Sequence, residues 1–169
     1  SLISDLALDS NGNVIAAGWF SGSIDSNPTA GFDTRTAVGS NDSFAVKLTA
    51  NGDYLWARTF GGSNSDLTNS MSVDGSGNVL VGGTFSGSVD FNPGAGVATL
   101  SSNGSVDDAY VLKLDSDGLY LWANRFGGTS SETVYAVEAS AAGDVYITGQ
   151  FNSVTDFDPG AGTANRTPV

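Results

Sequence analysis

Apolar and polar residues alternate along most of this chain, and clusters of glycine, asparagine, aspartate and serine interrupt the alternation at short intervals. An example is LISDLALD (Leu2–Asp9), which is followed at once by the turn sequence SNGN. Alternation with a period of two is typical of β-strands, and Asn-Gly pairs favour the positive φ angles of tight hairpins. Long runs of helix-forming residues are missing from the sequence. The pattern therefore predicts an all-β chain of short antiparallel strands.

The strand pattern is repeated along the chain. NGNVIAAGWFSGSID (Asn11–Asp25) reappears 65 residues later as SGNVLVGGTFSGSVD (Ser76–Asp90), and a further 66 residues on as AGDVYITGQFNSVTD (Ala142–Asp156). A second block, Asn41–Asp66, matches Asp107–Glu132 at an offset of 66. Self-similarity at a fixed period indicates a repeat architecture. We therefore divide the chain into three units, which cover residues 1–62, 63–128 and 129–169.

Each complete unit contains four predicted strands, which we call a, b, c and d in chain order. In the second unit they are TNSMSVD, NVLVGGTF, AYVLKL and YLWANRF. Asn-Gly, Asp-Gly and similar glycine turns join a to b and c to d. The third unit supplies only strands a and b. The sequence thus predicts four-stranded antiparallel meanders, two of them complete and one half present.

Strand b is apolar on both of its faces, since Val79 and Val81 point to one side and Leu80 to the other. A strand of this kind requires a sheet that is covered on both sides. Copies of the same sheet arranged side by side around an axis supply this cover, which predicts a β-propeller. Glycines in strand b would let a neighbouring chain approach closely; they are Gly18, Gly82, Gly83 and Gly149. A β-solenoid would need a much shorter period, and tandem sandwiches would need more strands per unit.

In combination, the motifs GNVxxxGxFSGSVDFxPGAG, DDAYVLKLDSDG and LWAxxFGG resemble the SBBP-type repeats of bacterial β-propellers. The resemblance extends over essentially the whole chain. It implies the propeller fold and a setting in large secreted or cell-surface proteins, many of them from Bacteroidetes and related phyla. It implies no catalytic residue.

An acidic phrase rich in proline and glycine lies between strands b and c of every unit. It reads IDSNPTAG from Ile24, VDFNPGAG from Val89 and TDFDPGAG from Thr155. These connections explain the long period, against roughly 40–45 residues for a compact WD40-type repeat. They are predicted to emerge beside the d–a connections, while short turns form the opposite end of the propeller. Because loops carry function more often than scaffolds do, we expect this long-loop rim to contact a protein or a glycan.

The composition disfavours several classes of partner and of catalytic chemistry. A net charge of -12 with only six basic residues disfavours nucleic acid and anionic lipid as partners. The absence of histidine and cysteine removes the usual general base and the thiolate nucleophile. No apolar run reaches the length of a transmembrane helix. We therefore expect a non-enzymatic, extracellular module of a bacterial surface or secreted protein, with no membrane insertion and no required cofactor. A hydrolase with paired carboxylates is a more remote alternative.

The acidic phrases raise the question of calcium, because Ca²⁺ prefers carboxylate and carbonyl oxygens. The candidate ligands are Asp25, Asp90, Asp156 and Asp158. The alternative is that each carboxylate accepts hydrogen bonds from its own turn. The sequence DSDG at Asp115 resembles the start of an EF-hand loop, but its twelfth position is Phe126 rather than glutamate. A hairpin turn is the prediction there.

Six residues recur at matching places in strands c and d and are predicted to pack between blades: Lys47, Lys113, Trp56, Trp122, Phe60 and Phe126. The tryptophans could instead form a sugar-stacking platform, in which case they would be exposed. A lysine in an otherwise apolar strand needs an anionic partner. We expect that partner to be Asp42 or Asp108 at the start of strand c, or a carboxylate on the next blade, rather than a catalytic arrangement.

Two and a half blades leave sheet edges unpaired and open to association, and a propeller typically needs 4–8 blades to close. Three interpretations are open: a segment of a longer propeller, an oligomer that completes the ring, or an open arc. Two copies would numerically make five blades, so ring closure by self-association is a specific hypothesis.

Overall fold

The computed structural model describes residues 1–103 and 106–168. Within these ranges the chain is all-β and contains no helix, which confirms the predicted fold class. Its strands are β1 (Leu2–Leu8), β2 (Val14–Phe20), β3 (Ser23–Asp25), β4 (Thr34–Thr36), β5 (Asp42–Leu48), β6 (Tyr54–Phe60), β7 (Leu67–Val73), β8 (Val79–Phe85), β9 (Ser88–Asp90), β10 (Thr99–Ser101), β11 (Asp108–Leu114), β12 (Tyr120–Phe126), β13 (Thr133–Ala139), β14 (Val145–Gln150), β15 (Thr155–Asp156) and β16 (Asn165–Arg166).

The long strands form one antiparallel meander per unit. Strands a, b, c and d are β1, β2, β5 and β6 in unit 1, and they are β7, β8, β11 and β12 in unit 2. In unit 3, β13 pairs with β14, and no further strand joins this sheet in the described part of the chain. The arrangement is a partial β-propeller of two complete blades and the a–b half of another.

The long b–c connections are more regular than the sequence indicated. Each contains a small antiparallel hairpin, which we call a rim hairpin: β3–β4, β9–β10 and β15–β16. Hydroxyl side chains face each other across the first two, at 2.9 Å between Ser23 and Thr36 and at 2.8 Å between Ser88 and Ser101. Strands of two or three residues are too short to show the alternation that reveals a longer strand in the sequence.

Strand a of each unit carries a β-bulge at the same place. The register to strand b shifts around Ser4 in β1, Asn69 in β7 and Tyr135 in β13. A bulge leaves one residue unpaired and re-aims its side chain. Ser4 Oγ accordingly donates to the Thr68 carbonyl at 2.6 Å, and Asn69 Nδ2 donates to the Val134 carbonyl at 2.9 Å. The bulges thus link the first strands of successive blades.

The sequence predicted that the glycines of strand b permit a close approach, and the structure shows one at all four of them. A Cβ on Gly18, Gly83 or Gly149 would overlap a backbone carbonyl oxygen of strand a in the same sheet. Gly82 differs, because its missing side chain makes room for the next blade, where a Cβ would lie 2.8 Å from Val134 Cγ1. Three of these glycines therefore let strand a lie close to strand b within one sheet, and Gly82 lets the next blade lie close.

Apolar side chains fill the space between neighbouring sheets. Val79 and Val81 point towards unit 1 and join a buried cluster that includes Ile15. Leu80 points the other way and joins a second cluster with Val134 of unit 3. The strand that looked apolar on both faces is therefore buried on both faces, each against a different blade.

The outward faces of the first and last blades expose apolar side chains. Leu6 and Leu8 on β1 are 62% and 61% exposed. On β14, Tyr146 is 62% exposed, whereas Leu80 at the matching place in β8 is fully buried. The two ends of the described blade stack are therefore not covered as its middle is.

Candidate functional site

The two strand-c lysines form buried ion pairs within their own blades. Lys47 Nζ lies 3.0 Å from Asp9 Oδ2, and Lys113 Nζ lies 2.8 Å from Asp74 Oδ2. Both aspartates begin the a–b turn, which folds back over the end of strand c. Lys47 also donates to the Ser116 carbonyl of unit 2 at 3.0 Å. The lysine therefore joins its own a–b turn to the c–d turn of the next blade.

These partners are not the aspartates expected from the sequence. Asp42 accepts hydrogen bonds from the Val38 and Gly39 amides instead, at 2.9 and 3.2 Å. Asp108 pairs with Arg125 at 2.5 Å. Both aspartates begin strand c, whereas the lysines lie five positions further on, near its other end. The a–b turn is distant along the chain but adjacent in space.

The paired turn aspartates are held as carboxylates. Burial alone would raise the pKa of Asp9, but hydrogen bonds from Asn13, Lys47 and the Asn11 amide lower it to about 2. The same set acts on Asp74, where burial is outweighed by Lys113 and Asn78, and its pKa is also about 2. The ion pairs therefore persist throughout the neutral and mildly acidic range.

Trp56 is a contact between blades rather than an exposed platform. Its side chain is 6% exposed, and its Nε1 donates to the Ser116 carbonyl at 3.1 Å. Gly118 lies against its ring, so that a Cβ there would meet Trp56 at 3.0 Å. Arg58 donates to the Gly118 and Asp117 carbonyls at 2.8 and 2.9 Å. The EF-hand-like sequence DSDG is thus a hairpin turn that unit 1 binds through its carbonyl oxygens.

Trp122 is less covered than its counterpart. It is half-buried and packs against the cluster that contains Val111 and Val137. Phe60 is buried, while Phe126 at the matching place is half-buried. Trp56 and Phe60 are thus buried between units 1 and 2, whereas Trp122 and Phe126 face unit 3, of which strands a and b are described.

A cage of three phenylalanines surrounds Tyr110 between units 1 and 2. The ring centroids of Phe60 and Phe91 lie 6.0 Å apart, and those of Phe85 and Phe91 lie 5.3 Å apart. The Tyr110 ring sits 4.8 Å from Phe91 and 6.1 Å from Phe60. Edge-to-face and tilted pairs of this kind are the favoured geometries of aromatic rings. The phenylalanine of the acidic phrase is therefore a core residue, a role that the sequence analysis missed.

The hydroxyl of Tyr110 has partners although it is fully buried. It lies 3.2 Å from Ser43 Oγ and 2.9 Å from Thr68 Oγ1. Burial raises the pKa of Tyr110, so the phenol stays neutral. The contact between the first two blades thus has a polar centre within an aromatic cage.

The aspartates of the acidic phrases each accept two amide protons from their own loops. Asp25 Oδ1 accepts from Asn27 and Asp33, both at 3.0 Å; Asp90 Oδ1 accepts from Asn92 and Ala98 at 3.0 and 2.8 Å; Asp156 Oδ1 accepts from Asp158 and Ala164 at 3.0 and 2.7 Å. The Ala164 and Asp158 amides lower the pKa of Asp156. Asp158 accepts in turn from the Gly160 amide at 2.7 Å.

These hydrogen bonds explain why an aspartate recurs at the same place in each acidic phrase. Across residues 1–103 and 106–168, no group of three or more Asp or Glu side chains is arranged to hold a metal ion. Calcium binding by Asp25, Asp90, Asp156 and Asp158 stays a prediction.

A further pair of acids is buried in the d–a connections. Asp66 accepts from the Gly62 and Ser86 amides at 2.7 and 3.3 Å. Glu132, at the matching place, accepts from the Gly128 amide and from Ser153 Oγ, both at 2.9 Å. Burial raises the pKa of Asp66 to about 6 despite these hydrogen bonds. In the sequence, an acidic residue stands six positions after the phenylalanine of both Phe-Gly-Gly motifs, and this recurrence could have revealed the pair.

The tips of the rim hairpins are exposed and include apolar side chains. Phe32 is 87% and Val97 80% exposed, and Thr163 occupies the matching place in unit 3. In unit 1 the hairpin is fixed to β6, because Asp33 accepts from the Tyr54 hydroxyl and Arg35 donates to the Ala57 carbonyl at 3.3 Å. The Phe32 tip of unit 1 is therefore carried on an anchored hairpin.

A groove runs between two neighbouring rim segments. It has a volume of about 530 Å³ and lies between the unit 2 rim hairpin, β12 and the acidic phrase of unit 3. Its walls include Leu100, Arg125, Asp156 and Pro159. It combines apolar surface with both signs of charge, which suits a polypeptide better than a uniformly charged ligand.

Comparison with known proteins agrees with the fold. No family model matches the chain. It is 25% identical over 170 residues to an uncharacterized WD repeat-containing protein of Acanthamoeba polyphaga mimivirus, an alignment that covers 87% of this chain but 12% of that protein. The chain is a partial β-propeller. It spans about one eighth of the relative it matches, and the specific SBBP type stays a prediction. None of the described residues forms a helix long and apolar enough to cross a membrane.

Proposed function

We propose that this chain is a protein-interaction and structural module without catalytic activity of its own, and that the long-loop rim is its contact surface. The observation that carries the proposal is the pair of exposed apolar tips, Phe32 and Val97, on ordered rim hairpins. Both tips belong to loops carried by an ordered scaffold, which is the part of a fold where binding residues most often lie. The similarity to a WD repeat-containing protein supports the same class of function.

The polar residues of the interior support a structural role. Each strand-c lysine forms an ion pair with the aspartate that begins its a–b turn; the lysines are Lys47 and Lys113. Asp66 and Glu132 hold the d–a connections through backbone amides. Groups that are fully engaged in the scaffold are poor candidates for proton transfer to a substrate.

The proposed setting is the exterior of a bacterial cell, within a larger surface or secreted protein. The support is the resemblance of the motifs to SBBP-type repeats, together with the acidic composition. The acidic surface also makes nucleic acid an unfavourable partner.

Site-specific crosslinking tests the rim as the contact surface. A photoreactive amino acid at Val97 probes the rim, and one at Asn51, which is also exposed, probes the short-turn end. We expect the intact parent protein, in the cells that make it, to crosslink to a discrete protein from position 97 and not from position 51. Equal crosslinking from both positions, or none from either, would contradict the proposal.

A glycan is the second candidate partner, because Phe32 is an exposed aromatic ring at the rim. Aromatic faces pack well against the apolar faces of sugars. A glycan array with the parent protein and its Phe32→Ala variant separates the two proposals. Binding that is lost in the variant would favour a lectin-like function, and absence of binding in both would leave the protein partner.

Calcium-dependent adhesion is tested by chelation. Since the Oδ1 atoms of Asp25, Asp90 and Asp156 already accept amide protons, we expect the melting temperature to be the same in EDTA and in calcium. A rise with calcium that disappears in the Asp90→Asn variant would show instead that the acidic phrases bind the ion.

A further inference from the structure

The groove beside the unit 2 rim hairpin, which we call the rim groove, corresponds to a place in unit 1 that a side chain crosses. Arg35 on β4 donates to the Ala57 carbonyl of β6 at 3.3 Å and pairs with Asp33 at 2.8 Å. Asp33 also accepts from the Tyr54 hydroxyl of β6. These contacts latch the rim hairpin of unit 1 onto the last strand of its blade.

Both charged members of this latch are replaced in unit 2. At the places of the acid and the base, unit 2 carries Ala98 and Leu100. Leu100 is half-buried against the apolar cluster between units 1 and 2. The Tyr120 hydroxyl, the counterpart of the phenol in unit 1, accepts from the Ala123 amide at 3.0 Å. The rim groove, of about 530 Å³, therefore runs between the hairpin and β12 where unit 1 has its latch.

Each of the two strands that border the rim groove is the last strand of its sheet. In the described residues, β10 pairs only with β9, and β12 pairs only with β11. The free edge of β12 belongs to the complete blade, since β6 in unit 1 likewise ends its sheet and pairs with β5. Unpaired strand edges are templates for a strand of another chain. The rim groove therefore suits an extended segment of polypeptide.

The uncompensated charge in the rim groove is negative. On one wall, Arg125 is neutralised by Asp108, with 2.5 Å between Nε and Oδ2. The acidic phrase of unit 3 contributes Asp156 and Asp158 to the other wall. Neither of these two acids forms an ion pair in the part of the chain that the structure describes. The groove thus offers carboxylates to a cationic side chain.

The acidic phrase of unit 3 carries one carboxylate more than those of units 1 and 2. Asp158 stands where the other units have Asn27 and Asn92. Its Oδ1 accepts from the amide two residues further on at 2.7 Å, and the two asparagines accept the same bond at 2.9 Å. The turn therefore does not require a carboxylate at this place. The additional charge instead fits a role in binding a cationic group.

The rest of the surface favours a basic partner as well. The net charge is -12, and four of the six basic residues form ion pairs within the chain. A fifth, Arg58, donates to the Gly118 and Asp117 carbonyls. Opposite charges across an interface speed association and disfavour wrong partners. A second copy of this acidic chain is a poor occupant of the groove for the same reason.

We propose that the rim groove binds an extended, basic segment of a partner protein, and that an arginine of this segment takes the place that Arg35 holds in unit 1. Its guanidinium donates to the Ala123 carbonyl, which matches Ala57. The carboxylate of Asp158 supplies the opposite charge. The inference rests on the proposed function, since it names the kind of segment that the long-loop rim contacts.

Short capped peptides of the pattern Thr-Val-X-Val-X-Val-Thr test the groove on the intact parent protein, with arginine, glutamine or glutamate at both X positions. Fluorescence anisotropy measures binding, and a photoreactive group on the peptide reports where it lies. We expect the arginine peptide to crosslink to Leu100, Ala123 or residues 156–160. The glutamine peptide should bind about 10-fold more weakly or worse, because charged hydrogen bonds are lost. The glutamate peptide should not bind, and salt should weaken the arginine peptide.

Variants of the parent protein separate the groove from the overall charge. Asp158→Asn introduces the residue type of units 1 and 2 and should weaken the arginine peptide about 5-fold. Asp117→Asn removes the same charge from the exposed c–d turn at the other end of the blade and should leave binding within about 1.5-fold. Ala98→Asp combined with Leu100→Arg rebuilds the latch of unit 1, and this latched variant should not bind.

Several outcomes would overturn the proposal. They are equal binding of the arginine and glutamate peptides, equal effects of Asp158→Asn and Asp117→Asn, full binding by the latched variant, and no binding by any peptide. Self-association that the latch abolishes would also overturn it, because a second copy would then be the occupant. The rim proposal is decided separately: crosslinking of the partner from Val97 that persists in the latched variant would keep the rim as the contact surface and reject the groove.

Discussion

The substitution Gly83→Ala adds one methyl group to β8 where the bulged strand β7 lies closest. The new Cβ would overlap the Leu67 carbonyl oxygen and would lie 2.9 Å from the carbonyl carbon. The overlap with the oxygen is the more severe of the two, so β7 would have to withdraw by about 1 Å or more. Both contacted atoms belong to the backbone, and no change of rotamer can relieve the overlap.

The expected loss of stability is about 3 kcal/mol. Overpacking of this kind costs about 1–3 kcal/mol. Withdrawal of β7 also weakens its pairing to β8 at Leu67–Thr84 and Thr68–Gly83, at about 1 kcal/mol for each hydrogen bond. The smaller conformational freedom of alanine in the unfolded chain returns about 0.4–1 kcal/mol. A further cost follows because β7 contacts the first strands of both neighbouring blades.

Gly82→Ala is the matched control in the adjacent position. Its Cβ would lie 2.8 Å from Val134 Cγ1, a methyl group that can turn away, and unit 1 carries Ala17 at the matching place. We expect a loss of about 1 kcal/mol. Urea unfolding followed by tryptophan fluorescence measures both variants, compared at equal m-values. If Gly83→Ala proves no more destabilising than Gly82→Ala, the assignment of Gly83 to the bulge is wrong.

Other predictions concern the buried polar groups. Tyr110→Phe should cost about 1–2 kcal/mol in urea unfolding, because Thr68 loses its hydroxyl partner; a neutral result would show that water or Ser43 replaces it. Asp9 and Asp74, whose pKa is about 2 in the folded protein, contribute stability above the ordinary pKa of 3.8 that is lost as the pH falls towards 2. Asp66 acts with the opposite sign: its pKa is raised to about 6, so stability is highest below pH 3.8 and falls as the pH rises through 6, by about 3 kcal/mol. Unfolding measured across pH 2–8 should therefore show a maximum near pH 4, and a flat profile from pH 4 to 7 would contradict the role of Asp66.

The candidate contacts were partly visible in the sequence. The repeat placed Trp56 and Lys47 between blades, and the structure shows both of them binding the Ser116 carbonyl of the next unit. The partner of Lys47 was not visible, because Asp9 is remote along the chain and reaches it only through the fold of the a–b turn. Asp42 was the nearer acid in sequence and lies at the wrong end of the strand.

The core role of Phe91 was missed for a related reason. In the sequence it belongs to an acidic, glycine-rich phrase, which suggests a solvated loop. In the structure its ring packs with Phe60, Phe85 and Tyr110, which come from three different strands. A single apolar residue in a polar phrase carries no periodicity, so only the assembled blades reveal where it points.

The sequence by itself determined the strands, the hairpin turns and the repetition of the blade, because these depend on residues that are neighbours along the chain. The period of two and the glycine turns are local properties, and a strand apolar on both faces already implied sheets on either side. Only the tertiary structure decided which residues meet across blades: the lysine with its turn aspartate, the glycine with the bulge, and the phenolic ring with its cage. Such contacts depend on how whole sheets stack, and residues that are neighbours along the chain do not determine that.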